Sequence, residues 1–187
     1  MVSGVILAGG ESRRMGGQDK GLLPFAGQPL IQHVILRIAP QVDELRINTN
    51  RHSADYARFG YPLIGDDSAG FLGPLAGILA GLTASTHEWV LTAPCDTPFL
   101  PDNLLTRLQA VADNVDLVVA STSRVHATVM LCRRSLAASL ATALAQGERK
   151  VQNWQAEQRR AIVTFSDEAA FVNINTPEQL AKAIPHR

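Results

Sequence analysis

Short β-rich runs alternate with stretches of helical period along this chain, and that alternation narrows the folds open to it. The runs are Gly4 to Leu7, Glu44 to Asn48, Pro62 to Ile64, Trp89 to Thr92, Asp116 to Ala120 and Ala161 to Thr164. Amphipathic segments such as Pro29 to Ile38 and Pro101 to Val111 lie among them, and in the second Leu104, Leu105, Leu108 and Val111 share one helical face. Strand, crossover helix and parallel strand in repetition predict an α/β fold: a three-layer α/β/α arrangement around a mostly parallel sheet with right-handed crossovers. Sheets of this kind bind ligands beyond the carboxyl ends of their strands. The polar residues just after each run therefore carry most of the functional information.

Read in order, those ends are Ala8-Gly9-Gly10, Asn48-Thr49-Asn50, Gly65-Asp66-Asp67 and Pro94-Cys95-Asp96-Thr97-Pro98, and they converge on one edge. The later chain is less regular. Thr128 to Cys132 predicts a strand, Arg134 to Gln146 a helix and Phe171 to Asn175 a strand. Thr176, Pro177 and Gln179 follow as N-cap, first helical residue and capping-box partner. Gly73-Pro74-Leu75-Ala76-Gly77 opens a small-residue helix, where close packing on the sheet and backbone contact to a base both fit.

A chain of 187 residues with 46% hydrophobic and 18% charged side chains fits one globular domain, residues 1–187, with a substantial core. Seventeen basic residues balance seventeen acidic ones, so no global field favours nucleic acid or an anionic membrane, and any anion site is local. Cys95 and Cys132 stand outside any metal-ligand or redox spacing and read as buried thiols. No apolar run is long enough to span a bilayer and no basic, apolar leader opens the chain, which implies a cytoplasmic protein.

The stretch LAGGESRRMGGQDK after the first run is the obvious candidate for such a local anion site. Gly9 and Gly10 let the main chain approach a ligand and turn its N–H groups toward phosphate oxygens, while Arg13, Arg14 and Lys20 add formal charge. The pattern is neither a Walker A loop nor a dinucleotide-binding fingerprint. A solvated Gly-rich surface loop is the plainer alternative. Asp96, after a later run and between Pro94 and Pro98, is of the type that holds magnesium through one or two carboxylates plus water; an ordinary turn or capping role is its alternative. Glycine backbone, a lysine and a magnesium carboxylate together neutralise charge in phosphoryl or nucleotidyl transfer.

The motifs LAGGESRRMGGQDKGLL, INTNRH, GPLAG, PCDTP and FVNINTPEQL, in this order from Gly4 to about Leu180, resemble the molybdenum cofactor guanylyltransferases, within the nucleotide-diphosphosugar transferase fold. The resemblance implies transfer of GMP from GTP to molybdopterin, with release of pyrophosphate and with Mg²⁺ as cofactor. It also implies that Leu7, Ala8, Gly9, Gly10, Lys20, Asn48, Asp66 and Asp96 contact GTP, that Asp96 holds the metal, and that Arg14, Lys20 and Asp96 are catalytic. Asn173 and Asn175, which share one face of the expected strand, are implied as contacts on the pterin side, a structural role being the alternative. Other cofactor-biosynthesis proteins and molybdoenzyme chaperones are the implied further partners.

At Arg124 to Thr128 the family usually has His-Pro-Thr, whereas here Ala127 replaces the proline. Asp66 is left open between base recognition, metal contact and a turn role, and Asn48 between sugar, base and turn. Arg149 and Lys150 are either phosphate contacts or a solvated pair. His33, His52, His87 and His126 are scattered and read as surface or core residues. Two rival functions stay open: a related nucleotidyltransferase that uses CTP or a sugar-phosphate acceptor, and a non-catalytic nucleotide-binding module.

Overall fold

The computed structural model describes residues 1–9, 19–66 and 73–174. Its first strand, β1 (Val2–Leu7), is followed by a small hairpin, β2 (Pro24–Phe25) and β3 (Gln28–Pro29), that leads into helix α1 (Leu30–Ile38). Then come β4 (Glu44–Asn48), α2 (Ser53–Ala57), β5 (Leu63–Ile64), α3 (Pro74–Ala84), β6 (Trp89–Pro94) and α4 (Leu104–Gln109). The chain continues through β7 (Leu117–Ser121), β8 (Val125–Arg133), α5 (Ala137–Ala145), α6 (Val151–Ala156) and β9 (Arg160–Thr164). Seven strands form one sheet in the order β5-β4-β1-β6-β8-β7-β9. Every neighbouring pair is parallel except β6 with β8 and β8 with β7.

Strand side chains alternate between the two faces, and each face builds its own core. Ile6, Ile47, Leu91 and Val118 point to one side, where they meet Ile31, Val34, Ile35 and Ile38 of α1 and Leu104 and Leu108 of α4. Val5, Leu7, Val90, Leu117 and Val119 point to the other, against Leu75, Ile78 and Leu82 of α3, Leu140 and Leu144 of α5 and Trp154 of α6. The mostly parallel three-layer α/β/α architecture expected from the alternation is thus present.

Three elements differ from expectation. The helix expected over 101–111 is confined to α4, and the segment 134–146 opens with a 3-10 turn, Arg134–Leu136, before α5. Phe171 is not the start of a strand: Ala169–Phe171 form a 3-10 turn, and 172–174 run on without regular pairing. The physical reason is the spacing of the buried side chains, since Phe171 and Ile174 are both fully buried three residues apart, a separation that a strand would direct to opposite faces. The capping box at Thr176 to Gln179 lies outside the described residues. Cys95 and Cys132 are free buried thiols, and burial pushes the Cys132 thiol up to about 12. Among the described residues no helix is long and apolar enough to cross a membrane.

Candidate active site

β5, β4, β1 and β6 are adjacent and parallel, so their carboxyl ends lie side by side, and the register brings Leu7 opposite Asn48 on one side and Pro94 on the other. The ladder continues one residue further at both seams: the Ala8 N–H donates to Asn48 O at 2.8 Å and the Cys95 N–H to Leu7 O at 3.0 Å. Ala8 and Gly9 therefore emerge between Asn48 and Asp96. Two polar clusters flank them.

On the β4 side, Asn48 is almost completely buried, and its amide donates to an Asp66 carboxylate oxygen at 2.7 Å and to Ile64 O at 3.3 Å. The Asn50 amide donates to the other Asp66 oxygen at 2.7 Å, while the Asp66 N–H returns to Asn50 Oδ1 at 2.8 Å. Asp66 is thereby an acceptor fixed at both oxygens. A Cβ placed on Gly9 would come 3.1 Å from Asn48 Oδ1 and 4.0 Å from Asp66 Oδ2, so the glycine main chain faces this cluster directly. Behind it, Gly77 of α3 packs so closely that a Cβ there would overlap the Asn48 carboxamide. Sheet packing accounts for that glycine.

On the β6 side, Lys20 Nζ donates to Asp96 Oδ2 at 2.5 Å and Asn173 Nδ2 donates to Asp96 Oδ1 at 2.8 Å. The Ile174 N–H also reaches Asp96 O at 2.9 Å. The Lys20 and Asp96 side chains retain 21% and 12% of their exposure, enough for a ligand to reach groups otherwise sunk in the edge. Asp96 is neither an Asx-turn residue nor a helix cap here: its carboxylate is shared between a cation and an amide. Asn173, expected on a strand, lies on an irregular segment and contacts Asp96. Gly10, Arg14 and Asn175 lie outside the described residues.

Lys20 is presented by a 3-10 turn, Lys20–Leu22, whose N-cap Asp19 accepts from the Gly21 N–H at 3.1 Å. Tyr56 of α2, wholly buried, donates its hydroxyl to the same Asp19 oxygen at 2.5 Å. Burial pushes the Asp19 carboxyl above the usual carboxylate range, against the hydrogen bonds from Tyr56 and Gly21 and the charges of His52 and Arg51. Burial and the neighbouring Asp96 push the Cys95 thiol up, so it is an inert wall beneath Gly21 rather than a nucleophile. Asp19 and Tyr56 are the members of these clusters that lay outside the strand-end reasoning, and Asn50 was named there at a strand end without a role; of the first two, Asp19 alone, as a capping residue type before a turn, left a local sign.

The remaining candidates fall elsewhere. Arg149 donates to Leu144 O at 3.0 Å and Glu148 O at 2.7 Å, closing the end of α5, and Lys150 caps α6. His126 stacks on Phe171 with ring centroids 4.7 Å apart and meets the Thr122 hydroxyl at 2.8 Å, while Ala127 O accepts from buried Gln155 at 2.8 Å. His87 lies with Ser3 and Glu44 and belongs to neither cluster. Among the described residues no group of three or more His, Cys, Asp or Glu side chains could form a metal cage.

A family model described as a MobA-like NTP transferase domain matches residues 4–161, which contain both clusters except Asn173. The chain belongs to this MobA-like family of nucleotidyltransferases. It is 47% identical over 190 residues to a molybdenum cofactor guanylyltransferase of Shewanella amazonensis, covering 98% of this chain and 97% of the relative. It is 44% identical over 192 residues to one of Shewanella loihica, covering 99% and 98%. Among solved structures, the molybdopterin-guanine dinucleotide biosynthesis protein A of Archaeoglobus fulgidus superposes with a TM-score of 0.81 at 24% identity, covering 97% of this chain and 96% of the other. This MobA-like chain shares that protein's fold.

Proposed function

We propose that this MobA-like transferase, working as a single domain, transfers GMP from GTP to molybdopterin, forming molybdopterin guanine dinucleotide and releasing pyrophosphate. The observation that carries the reading at the level of residues is the pairing of Lys20 with Asp96 on the strand edge where Gly9 emerges. The names of its relatives support guanine as the base and molybdopterin as the acceptor.

The terminal phosphate of molybdopterin attacks the α-phosphorus of GTP, a new P–O bond forms, and the bond to the β-phosphate oxygen breaks. A phosphate monoester has a second pKa of about 6, so the nucleophile is already ionised near neutrality and needs no strong base. What the protein supplies is placement and charge. Lys20 offsets the negative charge that grows on the departing pyrophosphate, and the main chain at Leu7, Ala8 and Gly9 lies along the polyphosphate. Asn48 and Asn50 hold the Asp66 carboxylate as a fixed acceptor for the N–H groups of guanine. Gly10 and Arg14 act in the same cradle, and Asn173 and Asn175 serve the acceptor side.

Magnesium is usually held by one or two protein carboxylates together with substrate phosphates and water, and Asp96 fits that need. Its carboxylate offers about four lone-pair positions, of which Lys20 and Asn173 use two. Asp96 would hold the ion, which when bound supplies Lewis-acid stabilisation of phosphate charge. A cytoplasmic setting, and delivery of product to other cofactor-biosynthesis proteins and molybdoenzyme chaperones, belong to the same proposal.

The test is incubation of purified protein with molybdopterin, Mg²⁺ and either GTP or CTP, followed by mass detection of the dinucleotide. Product with GTP and little with CTP is expected. Equal or reversed preference removes the guanine assignment, and no product with either, using pterin shown competent with another enzyme, removes the activity.

A further inference from the structure

We propose that Tyr56 is a positioning residue for nucleotidyl transfer: its hydroxyl, by holding the Asp19 carboxylate, sets the turn from which Lys20 reaches Asp96. The inference rests on the reading above.

The turn that presents Lys20 is short. Its 3-10 bonds, Leu22 N–H to Asp19 O at 3.1 Å and Leu23 N–H to Lys20 O at 3.3 Å, are long ones, and a three-residue turn holds itself weakly. Asp19 supplies what is missing, since one carboxylate oxygen takes both the Gly21 N–H and the Tyr56 hydroxyl. Tyr56 adds the long-range anchor, 37 residues away in sequence and wholly buried. The fit leaves no slack, because a Cβ on Gly21 would sit 2.5 Å from Tyr56 Oη and 3.4 Å from Cys95 Sγ. The residue after Lys20 is thus pressed between Tyr56 and the residue before Asp96.

The same connection ties this turn to the nucleotide side. Between β4 and α2 the chain folds back on itself, with Thr49 Oγ1 donating to Arg51 O at 2.7 Å and His52 in the left-handed region at φ 52. Residues 49–56 therefore carry Asn50, which holds Asp66, and Tyr56, which holds Asp19. One short connection thus joins both clusters. A phenol whose hydroxyl is spent on a half-buried carboxylate beside a substrate-facing lysine touches no reacting atom, so its effect on the reaction passes through Lys20.

The experiment compares Tyr56→Phe, Asp19→Asn, the double variant and Phe59→Leu. Phe59 packs on the Tyr56 ring at 6.2 Å and serves as the packing control. Dinucleotide formation is measured for kcat and for KM with GTP, and exchange of the Gly21 amide is followed by NMR. Tyr56→Phe is expected to lower kcat about tenfold while KM for GTP stays within about threefold, and to speed exchange at Gly21. Asp19→Asn should lose a similar factor, and the double variant little more, since both act through one bond. Phe59→Leu should keep kcat within about twofold of the parent. An active parent with an unimpaired Tyr56→Phe variant, additive losses, or an equal loss in Phe59→Leu would each overturn the proposal. Should Tyr56→Phe not fold, Asp19→Asn with parental kcat would overturn it. If the parent makes no dinucleotide the functional reading fails, and Gly21 exchange still decides: unchanged exchange in Tyr56→Phe sinks the inference.

Discussion

Replacing Gly77 with alanine adds one methyl group at the point where α3 leans on Asn48. The added Cβ overlaps Asn48 Oδ1 and lies 3.0 Å from Asn48 Cγ and 3.4 Å from Leu7 Cδ2. Asn48 cannot swing aside freely, because it is buried and its amide is committed to Asp66 and Ile64 O. Alanine gains about 1 kcal/mol of helix propensity over glycine, and overpacking costs about 1–3 kcal/mol, so the fold loses little. The site loses more. Displacing Asn48 frees the Asp66 carboxylate it holds, and re-forming that bond, worth about 1.5–3 kcal/mol, against the added methyl when GTP binds weakens binding by about tenfold or more. Gly81→Ala, one turn on, is the comparison: the nearest atoms to its Cβ are on the Val5 side chain, with both methyls at 3.0 Å, and it should leave GTP binding unchanged. Calorimetric titration with GTP and a thermal melt of both variants check this. Parental affinity in Gly77→Ala, or an equal loss in Gly81→Ala, would refute the assignment of Asn48 and Asp66 to the nucleotide.

Lys20→Ala and Asp96→Ala should each cut dinucleotide formation by about 100-fold or more while the melting temperature is largely kept, since both side chains act at a partly open edge; near-normal turnover in both would discredit their roles. Glu44 lies at the opposite end of β4. Burial there opposes its charge, but hydrogen bonds from the Ser3 hydroxyl and from Thr86, with the Arg46 guanidinium, pull its pKa down to about 2. A carboxyl lowered in the folded state adds stability above its unfolded pKa of about 4.3, and that stability is lost as pH falls from there toward about 2. The urea midpoint of Glu44→Gln should therefore lie well below the parent's at pH 6 and approach it at pH 3. A constant gap at both values would show that Glu44 does not act through its charge.

The sheet was legible because each strand announces itself locally, and its carboxyl ends follow from a parallel ladder. Asn48, Asp66 and Asp96 could be picked out for the same reason, since each sits at or shortly after such an end, whereas Lys20 stood out through the charge of the Gly-rich stretch that it closes. Their grouping into two clusters was not legible, since nothing local ties Asn50 to Asp66 or Asn173 to Asp96 until the fold brings them together. Tyr56 sits in a polar stretch with no apolar period, and both its place in the core and its bond to Asp19, 37 residues away, come from tertiary contacts. The strand expected at Phe171 failed where β propensity yielded to tertiary packing: Phe171 meets the His126 and Phe165 rings, and Ile174 packs with Phe25 and Leu30.

β8 is the one strand that runs against its neighbours, and its direction has an outcome for how such a catalyst can diversify. Trp89 pairs with Arg133 and Thr92 with Met130, so the beginning of β8, from Val125 to Ala127, overhangs the rim where β6 ends. Half of that rim is thus furnished by a hairpin and by the descending segment around Phe171, independently of the β1, β4 and β5 ends that flank Gly9. On the proposed assignment of the sites, two co-substrates would be fitted by separate stretches of polypeptide, and the triphosphate side could be matched to a new acceptor without being rebuilt.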